Sequence, residues 1–416
     1  MPLGTPSIKH LNVSRLGGSV LLSGSDFDAS KAEAARLATL HGLTNIPPFD
    51  DPYVIAGQGT IGMELLRQTN LGDLQVIFCC VGGGGLIAGI GVYIKRIAPS
   101  VKIIGVETHD ANAMISSLQA GHRVSLSDVG LFADGAAVKT VGEETFRLCQ
   151  EVVDEIILVD TDEICAAIKD VFEDTRSILE PAGALSLAGL KKYVAAHPSP
   201  DPNRGLVAIA SGANMNFDRL RFVADRAALG EHKEALLCVT IPESPGAFAA
   251  LVTAIYPASV TEFCYRFNRA DSPARVIVGV AVSQSALPDL LHRLRTSNPP
   301  MPAEDLSGDE LAKTHIRYLV GGRAHLVADE RLYSFEFPER TGALYGFLTK
   351  LTPGFNISLF HYRNYGGDVA KVLAGIQVPG GEEGEAKGEL EGFLSGVGFP
   401  WKEETANRAY RMFMRE

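Results

Sequence analysis

The chain reads as an α/β protein: an open, mostly parallel sheet, followed by two ferredoxin-like α+β repeats. Three observations predict this. Short apolar runs alternate with helical patterns over the first half, as in parallel sheets covered on both faces. One strand there runs through four glycines straight into a helix. After about Gly230 the texture changes, and the sequence repeats itself at a spacing of 96 or 97 residues.

In chain order, Ser19 to Ser23 reads as a strand. Asp28 to Leu40 places apolar and alanine positions at helical spacing, with Asp28 or Ser30 as N-cap. Val76 to Val81 is a strand, Leu86 to Ile97 a helix, and Val101 to Glu107 another strand. A strand at Glu155 to Val159, helices from Thr161 and from Pro181, and a strand at Gly205 to Ala210 complete the first half.

The second half is a duplication. Ala235-Leu-Leu-Cys-Val-Thr-Ile-Pro-Glu-Ser-Pro-Gly-Ala-Phe248 aligns with Arg331-Leu-Tyr-Ser-Phe-Glu-Phe-Pro-Glu-Arg-Thr-Gly-Ala-Leu344. Two further blocks, Ser259 to Arg266 with Asn356 to Arg363 and Arg275 to Val282 with Lys371 to Val378, keep that register. Each copy reads strand, Pro-Glu-x-x-Gly turn, helix, strand, turn, strand, helix, a split β-α-β pattern. Two copies side by side could bury their open sheet edges against each other. Pro299 to Asp309 reads as the loop between them. The acidic run Glu382 to Glu391 reads as the exposed face of a repeat helix.

With 416 residues, 46% hydrophobic and 21% charged, the chain has apolar mass for two or three domains. A net charge of −11 would repel a nucleic-acid backbone or an anionic membrane. The cysteines, Cys79, Cys80, Cys149, Cys165, Cys238 and Cys264, form no C-x-x-C and read as reduced thiols. Val76 to Ile94 carries no charge, but its glycines divide it into strand and helix rather than a membrane span. No basic-then-apolar leader is visible.

The sharpest chemical feature is Val76-Ile-Phe-Cys-Cys-Val-Gly82-Gly83-Gly84-Gly85-Leu86. Glycines let several backbone N–H groups converge on an anion, and the helix start adds its own unsatisfied donors. A ligand-free flexible turn would give these glycines no return for their entropy. The phosphate's identity stays open at this level. Gly83-x-Gly85-x-x-Ala88 also fits a dinucleotide fingerprint, with Glu107 placed for a ribose. A second feature is Ser211-Gly-Ala-Asn214, just past the strand Gly205 to Ala210, where ligands sit on open α/β sheets. Such a serine is otherwise a helix cap.

Together these segments resemble the phosphate loop (Gly82, Gly83, Gly84, Gly85, Leu86) and the pyridine-nitrogen serine (Ser211) of fold-type-II pyridoxal-phosphate enzymes, the tryptophan synthase β-like fold. The detailed resemblance is to biosynthetic threonine dehydratases. It is carried also by Pro47 to Asp50, Ile55 to Thr60, Gly130 to Gly135, Glu143 to Cys149, Glu180 to Ala184 and the two Pro-Glu-x-x-Gly repeats. The resemblance covers essentially the whole chain. It implies pyridoxal 5'-phosphate as cofactor, L-threonine as substrate, 2-oxobutanoate and ammonia as products in isoleucine biosynthesis, and a homo-tetramer. The product would be cytoplasmic in a bacterium, mitochondrial or plastid in a eukaryote.

The family's Ser-Phe-Lys-x-Arg-Gly-type segment, which carries the Schiff-base lysine, is not matched, nor is its Ser-Ala-Gly-Asn-His segment. Met1-Pro-Leu-Gly-Thr-Pro-Ser-Ile-Lys9 resembles a stretch that follows both. Lys9 is therefore read as a surface lysine, and no catalytic residue is assigned. The expectation is an N-terminally truncated chain with little activity alone and apolar surface exposed where the missing part would pack. The domains implied are residues 1–222, catalytic, then 233–320 and 329–416, two ACT-like repeats. In the second pair, the resemblance implies that isoleucine and valine bind near Gly246, Tyr265, Arg266, Gly342, Tyr362 and Arg363. Gly246 and Gly342 each follow a Pro-Glu turn, where a carboxylate can approach a helix N-terminus.

His109, His315 and His361 have no partners at ligand spacing, so no metal is assigned. Asp134 and Glu180 resemble positions near a cation site in some relatives of the fold, but loop carboxylates are commonly only solvated. Two other readings remain: a nicotinamide-dependent oxidoreductase, and a non-catalytic amino-acid-binding regulator that keeps the repeats.

Overall fold

The structure is a computed structural model. It describes residues 1–3, 5, 7–24, 27–197, 205–242, 247–264, 273–319, 329–338, 355–363, 369–378 and 385–415. The chain divides into two compact units, Met1–Gly230 and Glu231–Glu416.

The first unit opens with three helices: α1 Ser7–Arg15, α2 Phe27–His41 and α3 Pro52–Gln68. Next come β1 Leu74–Cys80, α4 Gly85–Ile97, β2 Lys102–Thr108, α5 Ala113–Ala120 and α6 Glu143–Val152. The unit continues with β3 Glu155–Val159, α7 Thr161–Thr175, α8 Pro181–Ala196, β4 Gly205–Ala208 and α9 Arg219–Gly230. Its strands form one sheet of order β3-β2-β1-β4, every pair parallel. The alternation of β1 explains the layering. Val76 and Phe78 turn into a core with Ile164 and Ile168 of α7 and Leu185 of α8. Ile77 and Cys79 turn the opposite way, into a core with Ile87, Ile90 and Ile94 of α4 and Phe146 of α6. Each such buried side chain contributes about 1.5–3 kcal/mol. Both sheet faces are thus covered, while apolar side chains stand exposed along the N-terminal segment, Leu16 and Ile46 among them.

The expected strand at Ser19 to Ser23 does not form. Its backbone meets only a short stub, through Met1 N to Leu21 O and Ser23 N to Met1 O, and Leu21 is exposed. A β pattern without a continuous partner has no ladder to join. Helix α2 begins one residue before Asp28, so neither Asp28 nor Ser30 is its N-cap. The uncharged run from Val76 to Ile94 is β1, the glycine loop and most of α4, and no helix among the described residues is long and apolar enough to cross a membrane.

The second unit holds two four-stranded sheets. The first is built from β5 Glu234–Ile241, β6 Ser259–Cys264, β7 Ala274–Ala281 and β8 Ala303–Asp305, with helices α10 Ala247–Ile255 and α11 Leu287–Thr296. The second is built from β9 Glu330–Pro338, β10 Asn356–Arg363, β11 Val369–Gln377 and β12 Trp401–Glu403, with a helix at Glu385–Gly396. Their orders, β6-β7-β5-β8 and β10-β11-β9-β12, are the same permutation, and all neighbours are antiparallel. This is the ferredoxin-like arrangement, copied.

Two expectations change here. The segment Pro299 to Asp309 is not only a loop: it contains β8, which pairs with Leu237 to Val239 of β5. The proline-rich part ends at Pro302, and the residues after it donate to the ladder. The two sheets also meet by faces, not edges. Leu236 and Cys238 of β5, Ile277 of β7, Leu332 of β9 and Leu373 of β11 share one core with Ile316, Tyr410 and Phe413. Strand β5 is apolar on both sides: Leu237 and Val239 face the repeat's own helices, Leu236 and Cys238 the other sheet. Burying that second apolar face outweighs pairing a short edge.

Candidate functional site

The C-terminal rim of the parallel sheet gathers the predicted residues. Strand β1 ends at Cys80, and Val81 still donates to Val106 O at 2.9 Å. Four glycines then turn the chain into α4. Gly84 is the N-cap, at φ +94° and with no side-chain cap. That left-handed conformation suits glycine, and a Cβ there would lie 2.6 Å from Met114 Cε and 3.0 Å from Thr145 Cβ. A Cβ on Gly82 would press on the Ala136 backbone at 3.0 Å, and one on Gly83 would collide with the Phe49 ring. The loop is a cradle with no room for side chains.

Its carbonyls are used and its amides are not. Gly83 O accepts from Thr145 Oγ1 at 2.6 Å and from Gly142 N at 3.3 Å. Among the described residues, no N–H from Gly82 to Leu86 donates to a protein acceptor. Free donors at a helix start, in a cradle that excludes side chains, fit a phosphate. Asp50, beside Phe49, fixes the neighbouring wall. Its carboxylate accepts from the N–H groups of Glu143, Glu144 and Thr145 at 2.8, 3.0 and 3.2 Å, capping α6.

Ser211 lies across the rim, beyond β4. Its hydroxyl is exposed and sits 3.2 Å from the half-buried Cys80 thiol. Burial pushes that thiol's pKa up, opposed by the Ser211 hydrogen bond, and the nearby Glu180 charge adds to the rise. Gly212 leaves space for the Glu180 side chain, whose backbone N–H donates to Gly212 O at 3.1 Å. Burial also raises the Glu180 carboxyl above the usual range, opposed by the Lys9 charge. The Lys9 ammonium is taken by Asp134 in an ion pair. Arg219 approaches Asp134 at 3.6 Å.

The rim therefore brings Gly82, Gly83, Gly84, Gly85, Leu86 and Ser211 to one end of the sheet, on strands β1 and β4, which are neighbours. The regulatory residues are placed less fully. Gly246, Tyr265, Arg266 and Gly342 lie outside the described residues, and Tyr362 and Arg363 only end β10, paired with Val372 and Lys371. Sequence reasoning missed Phe49, Asp50, Thr145 and Cys80. Their roles depend on contacts 62 to 131 residues apart for the bonded pairs, which carry no local signal.

Glu107 is not available to a ribose. It is 1% exposed, and its carboxylate accepts from Met114 N and Ile115 N, each at 2.8 Å, holding the start of α5. The dinucleotide reading of the loop loses its acid. His315 and His361 do meet, with Nδ1 atoms 2.5 Å apart, but no group of three or more metal-binding side chains occurs among the described residues. An apolar hollow of about 410 Å³ opens between α3, α4 and α6, lined by Ile55, Met63 and Tyr93. Neither the glycine loop nor Ser211 lines it, and its lining is mostly apolar, with Thr60, Tyr93 and Glu144 as its polar side chains.

Known proteins resemble this chain over its whole length. Residues 1–212 match the pyridoxal-phosphate dependent enzyme family. Residues 225–316 and 321–414 each match the C-terminal regulatory domain of threonine dehydratase. A mitochondrial threonine dehydratase of Schizosaccharomyces pombe is 56% identical over the whole chain, which spans 68% of that relative. The biosynthetic L-threonine dehydratase of Escherichia coli is 49% identical, and the chain spans 79% of it. The processed form of threonine deaminase isoform 2 from Solanum lycopersicum superposes with a TM-score of 0.53 at 52% identity. That match covers 55% of this chain and 62% of the solved one.

Proposed function

Since the chain belongs to the threonine dehydratase family of pyridoxal-phosphate-dependent enzymes, we propose that its rim serves the conversion of L-threonine to 2-oxobutanoate and ammonia. Gly82 to Leu86 hold the cofactor's phosphate, and Ser211 faces its ring nitrogen. The observation that carries this reading is the row of unspent N–H donors in a cradle closed to side chains. The nicotinamide and non-catalytic readings find no such support.

When bound, pyridoxal phosphate supplies an electron sink for the charge left at the substrate's α-carbon. The protein's part is positional. The loop amides and the α4 dipole fix the phosphate end without a counter-cation. Thr145 and Asp50 keep the loop and the α6 start in register, so those amides stay convergent. A serine hydroxyl at the ring nitrogen is a neutral partner, so it favours the proton on the ring far less than a carboxylate would. Bound there, the cofactor would supply its electron sink with the ring nitrogen only weakly protonated. In the second unit, the copied Pro-Glu-x-x-Gly sequences that end at Gly246 and Gly342, with Tyr265-Arg266 and Tyr362-Arg363, take isoleucine and valine, the former inhibiting and the latter opposing it. A homo-tetramer with its catalytic work in the cytoplasm of a bacterium, or in a mitochondrion or plastid, completes the reading.

The test is cofactor retention. In equilibrium dialysis against pyridoxal phosphate, the chain should bind the cofactor, read from the cofactor's own absorbance band. Gly84→Val, strained at φ +94°, should lose it by about 100-fold or more in affinity, since the donors no longer converge. Unchanged occupancy in a folded Gly84→Val chain rules the assignment out.

A further inference from the structure

Cys79 and Cys80 are neighbours in sequence but not in role. On strand β1 their side chains leave opposite faces: Cys79 is fully buried in the core against α4, whereas Cys80 turns to the other face, toward Ser211. The pair is therefore no dithiol. What Cys80 touches is the hydroxyl that the proposed function sets against the ring nitrogen.

A serine hydroxyl has one proton and two lone pairs, and it rotates to suit its partners. Ser211 lies on irregular backbone after β4 and is exposed, so nothing in its own segment fixes that rotor. The Cys80 sulfur, 3.2 Å from Ser211 Oγ, is well inside hydrogen-bonding range for sulfur. Burial raises the thiol's pKa, with the Glu180 charge and against the Ser211 hydrogen bond, so the thiol keeps a proton to give at neutral pH. If the thiol donates to an Oγ lone pair, the hydroxyl proton must point away from Cys80.

We propose that Cys80 is a positioning residue: its S–H donates to Ser211 Oγ and so turns the Ser211 O–H toward the pyridine nitrogen of the cofactor. This rests on the reading of Ser211 given above. It assigns β1 two roles at the rim, because the strand leads into the phosphate loop and, two residues before Gly82, supplies the group that aims the ring's partner. In this role Cys80 acts only through Ser211.

A double-mutant cycle on the full chain tests this, read as the dissociation constant for pyridoxal phosphate by equilibrium dialysis and as the circular dichroism of the bound cofactor band. Cys80→Ala should weaken binding by about threefold, the scale of one modest hydrogen bond. It should also change the dichroic band, because the ring loses its fixed partner. Cys80→Ser, which keeps a donor, should restore both. In a Ser211→Ala background, Cys80→Ala should add nothing. If Cys80→Ala matters equally with and without Ser211, the thiol acts by packing alone and the inference is overturned. If Ser211→Ala weakens binding while Cys80→Ala changes neither readout, Ser211 keeps its role and the inference is again overturned. If Ser211→Ala itself changes nothing, the underlying reading of Ser211 fails instead.

Discussion

The rim of the parallel sheet and the seam between the two repeat sheets both gather polar groups, and they use them in opposite ways. At the rim, the N–H groups from Gly82 to Leu86 are unspent and Ser211 is exposed. At the seam, His315 is 2% exposed and its Nδ1 lies 2.5 Å from that of His361, while the Tyr410 hydroxyl donates to Glu330. Gly83, Gly84 and Gly85 are themselves buried, so their unspent donors carry a cost that an anion entering the loop would relieve. Groups sealed in a seam must satisfy one another, because an unmet buried polar atom costs about 1–3 kcal/mol. One region is built to exchange partners and the other to keep them.

The largest expected effect is at the seam. Only one of the two facing Nδ1 atoms can carry a proton. Burial holds the His315 imidazolium well below the usual histidine range, and the His361 and Lys371 charges add to this against Glu310. A depressed histidine contributes stability that is present above the unfolded pKa of about 6.5 and lost as pH falls below it. Below that point each pH unit should remove about 1.4 kcal/mol. Urea unfolding of the second unit's transition at pH 7.5 and pH 5.0 measures it. His315→Gln should flatten the slope, whatever it does to stability at neutral pH. An unchanged slope in His315→Gln would mean that the seam admits water as the rim does.

Glu107 lies between the two cases. It ends β2 near the rim, yet it is sealed like the seam. The N–H groups of Ile115 and Met114 favour its carboxylate, but burial outweighs them and raises its pKa to about 7. For a raised carboxyl, the added stability is present below the unfolded value of about 4.5 and is lost as pH rises to about 7. Integrated over that window, the loss is about 3 kcal/mol. Glu107→Gln cannot titrate, so its stability should be nearly level from pH 5 to pH 7.5 where the parent declines. Parallel profiles for the two proteins would show that water reaches this carboxylate.

The same contrast explains what could be read from the sequence. Periodicity carried the strands of the first sheet to within a residue or two, because β1 must feed two cores and shows it in Val76, Ile77, Phe78 and Cys79. The glycine loop was legible because four adjacent glycines have no other use at a strand-to-helix turn. Pattern encodes period but not partner. Ser19 to Ser23 has strand composition and no neighbour, so it stays irregular. Glu107 stands where a ribose acid would stand, but its partners are two amides of α5 that spacing alone cannot reveal. Asp51 with Pro52 is a legible helix start that went unused, as the N-cap of α3 shows. Leu236 and Cys238 gave no hint of which apolar face would meet another sheet, because both faces of β5 are apolar.

The smallest effect separates rim from seam most sharply. Asp50 caps α6 from 93 residues away, accepting three N–H groups. In a sealed environment, removing it would strand those donors at several kcal/mol. At the rim, Glu143 is exposed, so water can replace the carboxylate for at least the first donor. Asp50→Ala should then cost only what a lost N-cap costs, about 1–2 kcal/mol by urea unfolding of the first unit. Asp50→Asn, which keeps one acceptor oxygen, should cost less. A loss well above that range for Asp50→Ala would mean that the wall of the glycine loop is packed as tightly as the seam. The amides from Gly82 to Leu86 would then lie in a structure with little freedom to trade water for a phosphate.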